Sequence, residues 1–328
     1  HKWRKNPMKN FSPYTDLALE VAESLTNNAD NDLEGLKIFT EDCEMEKTSV
    51  TSVEITSPIG EEKMGRPMGT YITLESVFIK ENNPEAHEKL IAILSKHLNQ
   101  LCPLNNEKPI LVVGLGNSQV TPDSLGPKTI DKILVTRHLK ENLPDSISDT
   151  VRSVAALSPG VMGVTGIETL EVIKGIVERI QPQLVIAIDA LAARKVSRIN
   201  TTIQICDTGV APGGGVGNKR SKLDKESLGV PVIAIGVPTV VDAATLANDT
   251  IDRILDTIDS LGHTILDRIS SQDRYAMIQQ ILDPYTENMF VTPKEVDEVT
   301  DNLANIIANG INIAIQPPIE NDDINKYK

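Results

Sequence analysis

The sequence predicts an α/β fold: a mostly parallel sheet flanked by helices, with a small β-rich insert or lobe. Two patterns carry this expectation. From residue 110 onward, short apolar runs closed by glycine or aspartate alternate with amphipathic stretches. That rhythm is the mark of strand–turn–helix units, which lay parallel strands side by side and cover both faces of the sheet. Between residues 48 and 80 the chain instead alternates β-branched and polar residues, as strands with one wetter face do. The 328 residues, 40% of them hydrophobic, suffice for one large domain and a smaller one. With 3% aromatic residues, the core falls to Val, Ile, Leu and Ala.

In chain order, residues 1–16 form a basic arm carrying Lys2, Arg4, Lys5 and Lys9. No apolar stretch follows it, so a secretory signal is not expected. DLALEVAESL, residues 16–25, places Leu17, Val21 and Leu25 every fourth residue behind Asp16, which is set as a helix N-cap. TSVTSVEITS and TYITLESVFI are strand candidates separated by a Gly- and Pro-bearing turn. Residues 84–101 predict a helix. ILVVGLG, QLVIAIDAL, TTIQIC and VPVIAIGVP are buried strands, and helices are expected from near Pro127, over TGIETLEVIKGIVERI and over VDAATLANDTIDRILDTI. The division that follows is an arm over 1–16, a main domain over 17–47 and 81–316, a β-rich lobe over 48–80, and a polar tail over 317–328.

Several classes are disfavoured on composition and motif. The net charge of −14 repels nucleic-acid phosphate, and no run of about 18 apolar residues predicts a membrane span. Cys43, Cys102 and Cys206 are far apart without C-x-x-C spacing, so a reducing compartment is expected. The turn after ILVVGLG carries Gln119 where a dinucleotide fingerprint needs its third glycine, and G-K-[ST] is absent. There is no G-x-S-x-G elbow. His1, His87, His97, His138 and His263 fall in no metal motif.

Two carboxylates stand out. VVGLGNSQVTPDSLGPK follows a strand, and its glycines Gly114 and Gly116 let the backbone turn and carry Asp123 to the sheet rim. Asp189 follows directly on the apolar IAI of a buried strand, at the carboxyl edge where open α/β sheets bind ligands. Ordinary roles compete: a turn aspartate at 123, a helix N-cap for ALAAR at 189. Two close carboxylates resist joint ionisation and can share a proton, one activating water while its protonated partner assists the carbonyl or the leaving group. Carboxylate ligation of a metal is the alternative, and no other cofactor is expected. Cys206, at the end of TTIQIC, reads as a buried small residue more readily than as a nucleophile. TGVAPGGGVGNKR, with Gly213, Gly214, Gly215 and Gly217 before Asn218, Lys219 and Arg220, is a loop that could line or close a cleft. Asp242 after GVPTVV is a support or capping carboxylate.

At VVGLGNSQVTPDSLGPK, ALSPGVMGVTGIET, IAIDALAAR, GVGNKR, VPVIAIGVPTVVDA and PYTDLALE the sequence resembles the germination protease family, densely from residue 108 to about 250. The resemblance implies an endopeptidase that degrades the small, acid-soluble proteins coating spore DNA when germination begins. It implies a tetramer, a self-processing precursor, and residence in the cytoplasm of the forespore or spore core. It places two essential aspartates at Asp123 and Asp189. The implied fold is similar to that of the hydrogenase-maturation peptidases, which bind metal through carboxylates at comparable positions. Such proteases cut after glutamate, in a context similar to Thr15–Asp16–Leu17–Ala18–Leu19–Glu20–Val21, so self-cleavage is expected between Asp16 and Leu17. An acidic side chain before the cut calls for a basic or hydrogen-bonding partner, for which Arg194, Lys219 and Arg220 are the candidates.

Overall fold

The computed structural model describes residues 15–26, 33–102, 104, 108–142, 151–212, 221–260, 278 and 289–316. Its elements, in order, are α1 (Ala18–Thr26), β1 (Leu36–Asp42), β2 (Thr48–Ile55), α2 (Pro58–Met64), β3 (Gly69–Ser76), α3 (Pro84–Leu101), β4 (Ile110–Gly114), α4 (Leu125–Ile130) and α5 (Arg137–Asn142). There follow β5 (Val154–Leu157), α6 (Met162–Thr165), α7 (Thr169–Ile180), β6 (Leu184–Ala193), β7 (Thr202–Cys206), α8 (Lys225–Leu228), β8 (Val232–Asp242), α9 (Ala243–Ser260), β9 (Phe290–Val291) and α10 (Val296–Ile315). The expected arm before Thr15 and the polar tail lie outside the described residues.

One 9-stranded sheet runs in the order β1-β2-β3-β7-β8-β6-β4-β5, with β9 beside β8. Its β5-β4-β6-β8 portion is parallel, as the strand–turn–helix rhythm predicts. The remainder is antiparallel, so the sheet is mixed rather than mostly parallel. The cause is the short link from β6 to β7. A parallel return needs a crossover of a dozen or more residues, and residues 194–201 are too few. Strands β2 and β3 of the segment 48–80 are laid onto this same sheet through the β3–β7 ladder.

Side-chain alternation sends successive strand residues to opposite faces. One face packs on α3 and α10: Leu90, Leu94 and Leu98 meet Leu303, Ile307 and Ile311 over Ile186, Ile188, Ile233 and Ile235. The other carries two clusters. Ile173 and Val177 of α7 cover Val113, Val185 and Ala187. Ala18 and Ala22 of α1 and Met64 of α2 cover Val53, Tyr71, Cys206 and Ala234. Asp189 shares its parity with Val185 and Ala187, so it projects onto this second face, at the seam between the two clusters. No described helix is long and apolar enough to cross a membrane.

Candidate active site

Strand length builds the cleft. β4 ends at Gly114, opposite Ile188, whereas β6 and β8 stay paired to Ala193 and Val241. The sheet therefore has a step at the carboxyl end of β4, and Asp189 stands at its foot, one residue beyond the last β4–β6 pair. ALAA continues the strand instead of starting a helix, so Asp189 is no helix N-cap and lies inside β6 rather than at its end. The backbone of β8 beyond Gly236 offers a pairing edge, interrupted by a register shift between Leu191 and Ala192, that overrides the helical preference of the alanines.

Asp123 arrives from the other side. A 3-10 turn over Thr121–Asp123 is closed by Asp123 N–H to Val120 O at 2.8 Å, and Thr239 Oγ1 on β8 pins it by donating to Pro122 O at 2.7 Å. The Asn117 N–H donates to Asp123 Oδ2 at 2.8 Å, orienting the carboxylate. Gly116 is required here: its φ is +109°, and a Cβ would stand 2.1 Å from Asp123 O. Asp123 and Asp189 line one cleft of about 480 Å³, together with Gly116, Asn117, Leu191 and Thr239. Asp189 itself is buried, 5% exposed.

Asp189 also borders a second, smaller cleft of about 220 Å³, with Asp16, Arg66, Tyr71, Gln204 and Lys222. The chain around the expected self-cut lies in it. Asp16 does not cap α1, which begins two residues later. Its N–H donates to Ala192 O at 2.9 Å, and its Oδ2 accepts from Ala192 N–H at 2.8 Å. Leu17 is fully buried against Leu191 and Ala193. The Asp16–Leu17 bond is thus non-helical and clamped beside β6.

The other expected residues divide. Arg194 lines neither cleft; its backbone N–H donates to Glu20 Oε2 at 2.7 Å and its side chain approaches Asp249 at 3.9 Å. Gly215, Gly217, Asn218, Lys219 and Arg220 lie outside the described residues. Asp242 ends β8 and its Oδ1 accepts from the Thr245 backbone N–H and hydroxyl at 2.8 and 2.9 Å, on the first turn of α9. Cys206 is buried, and burial pushes its thiol up, opposite to the depression a thiolate nucleophile needs. Among the described residues no three His, Cys, Asp or Glu side chains gather as a metal-ligand set.

Sequence reading missed Arg66, Tyr71, Gln204 and Lys222. Burial pushes the Tyr71 phenol up to about 12, so it stays protonated, and its O–H donates to Pro67 O at 2.9 Å. Arg66 Nη2 donates to Thr15 O at 2.9 Å, while its buried Nε has no hydrogen-bond partner among the described residues. The only local signal among these was Gln204, a long amide in the otherwise short-chain or apolar run TTIQIC, where a buried polar group must find partners.

Comparison with known proteins decides the family. The germination protease family model matches residues 15–263 and 258–328. The chain belongs to the germination protease family. It is 46% identical to the germination protease of Clostridium acetobutylicum, covering 95% of this chain and 98% of that protein. It is 46% identical to that of Caldanaerobacter subterraneus subsp. tengcongensis, over 95% and 97%, and 40% identical to that of Bacillus subtilis, over 95% and 96%. The chain is accordingly a protease acting in spore germination.

Proposed function

We propose that this germination protease starts the degradation of small, acid-soluble spore proteins by cutting after an acidic residue, with Asp123 and Asp189 as its acid–base pair. The supporting observation is that these two carboxylates, from segments 66 residues apart, line a single cleft at the step in the sheet. One aspartate takes the proton of a water that adds to the scissile carbonyl; the other, protonated, assists that carbonyl or delivers its proton to the leaving amine. The same pair bound to a metal is the alternative mechanism. Asp123 and Asp189 would hold it, and it would polarise the scissile carbonyl and lower the pKa of a bound water.

The chain is made, on this reading, as a precursor that cuts itself between Asp16 and Leu17. Support comes from Asp16 and Asp189 lining one cleft, with an acidic residue before that bond and a leucine packed on Leu191 and Ala193 after it. The working form is a homotetramer in the forespore or spore core, engaging neither nucleic acid nor membrane directly. Light scattering on the matured protein checks the assembly.

The deciding experiment incubates the full chain with a peptide from such a spore protein and reads fragments by mass spectrometry. Cleavage after the acidic residue is expected, as is a matured chain beginning Leu-Ala-Leu-Glu. Asp123→Asn and Asp189→Asn should each lower kcat by about 10²–10⁴-fold with circular dichroism unchanged. Near-normal activity in either variant overturns the pairing. Loss of wild-type activity on chelation, with recovery by one added metal, favours the metal alternative.

A further inference from the structure

We propose that Gln204 is a catalytic residue of this protease, its side-chain amide being the donor that binds the carbonyl oxygen of the residue before the cut. The inference rests on the reading above and names a group that reading lacks. Gln204 Nε2 donates to Asp16 O at 3.1 Å, the carbonyl of the bond that self-cleavage would break. Its Oε1 accepts from Ala18 N–H at 2.7 Å, two residues on, so the amide is held in one orientation across the bond. Gln204 is buried, 6% exposed, where a hydrogen bond to developing charge is strongest.

Strand register aims it at the chemistry. Gln204 pairs with Gly236 on β8, and Gly236 pairs with Asp189 on β6. Gln204 and Asp189 therefore stand in one row on one face, two strands apart, about 10 Å between Cα atoms. The residue between them has no side chain. A Cβ on Gly236 would stand 2.3 Å from Leu191 Cδ1, so Leu191 leans into that place and floors the gap. Leu17 packs on Leu191 from above. A peptide laid over this floor has the amide on one flank and the aspartate on the other.

The step balances. Water oxygen adds to the carbonyl carbon and gives one proton to a carboxylate. The carbonyl π electrons pass to the oxygen, which Gln204 N–H stabilises without giving up its proton. The tetrahedral species collapses, the C–N bond breaks, and its electrons go to the amine nitrogen, which receives the proton. One water is consumed, and one acid and one amine are formed. Once residues 1–16 leave, a substrate carbonyl takes the place of Asp16 O.

Gln204→Glu and Gln204→Met together separate this role from a structural one. The carboxylate keeps an acceptor for Ala18 N–H and loses the donor; Gln204→Met loses both. Self-cleavage, and kcat on a peptide with glutamate before the cut, are measured for the full chain, with Tm alongside. The expected result for both variants is a kcat loss of about 10²–10³-fold with KM within about threefold, the cost of removing one such donor. Gln204→Glu buries a carboxyl at a 6% exposed position, so its Tm is expected to fall, and Gln204→Met carries the separation of kcat from stability. If Gln204→Glu does not fold, Gln204→Met is judged by the same kcat. Turnover within about threefold of wild type in a folded variant overturns the inference while leaving the aspartate pair standing. A wild-type chain that cleaves neither itself nor the peptide overturns both.

Discussion

Arg198→Met tests how the cut site is held. Arg198, in the link between β6 and β7, has a side chain only 7% exposed. Its Nε donates to Glu75 Oε1 at 2.7 Å, its Nη1 and Nη2 donate to Glu23 at 3.0 and 2.5 Å, and Glu20 lies 3.5 Å away. Glu20 and Glu23 belong to α1, so one guanidinium ties that helix to β3 and to the chain beyond β6. Breaking a buried ion pair from one side costs about 3–5 kcal/mol. Glu23 and Glu75 keep 31% and 29% exposure and can turn to water, which places the loss near about 3 kcal/mol. For a chain this large that is about 6 °C in Tm. The pH dependence follows from Glu23. Burial raises its pKa, but hydrogen bonds from Arg198 and Lys195 outweigh this and hold it below 4.5. A depressed folded value adds stability that is complete above the unfolded pKa and lost as pH falls through the folded one. In the variant Glu23 keeps Lys195 but loses Arg198, so its part of the deficit is full at neutral pH and shrinks as pH falls below 4.5. Thermal unfolding followed by circular dichroism at pH 7 and pH 4 reads both effects. A Tm loss under about 2 °C at pH 7, or equal losses at both values, refutes the reasoning.

Gly116→Ala places a methyl 2.1 Å from Asp123 O and 2.9 Å from its Oδ1, at a φ of +109°. Displacing that carboxylate should cost about 10²-fold in kcat, and peptide turnover near wild type would show that the turn does not position Asp123. Arg66→Gln removes the cation whose Nε is buried without a partner among the described residues, in the cleft holding Asp16. The preference for glutamate over glutamine before the cut, measured as a kcat/KM ratio on two peptides, should fall about tenfold or more; an unchanged ratio assigns acid recognition elsewhere.

What was legible in the sequence is what local pattern encodes. Apolar runs such as ILVVG and LVIAI announce buried parallel strands, and the carboxylate directly after the second is a cleft residue, though Asp189 lies inside β6 rather than at its end. Gly114 and Gly116 at the end of the first run announce a turn that carries Asp123 to the cleft. Helices α3, α7 and α9 follow from apolar periodicity within their own residues. Asp16 shows the limit of that reasoning: a good N-cap residue by type, it is drawn instead to the free backbone of Ala192, a partner 176 residues away.

The sequence by itself determined the class of fold and singled out Asp123 and Asp189, because those properties depend on residues within one turn or strand of each other. Only the tertiary structure decided the rest. Strand order set β7 between β3 and β8, and that put Gln204 in register with Gly236 and Asp189. The hairpin region supplied Arg66 and Tyr71 to a cleft whose other wall is β6. The longer partner β8 extended β6 past Asp189 and made the step. Each is a pairing between segments distant in the chain, fixed by the burial and hydrogen bonding of whole strands, and no window of residues carries it.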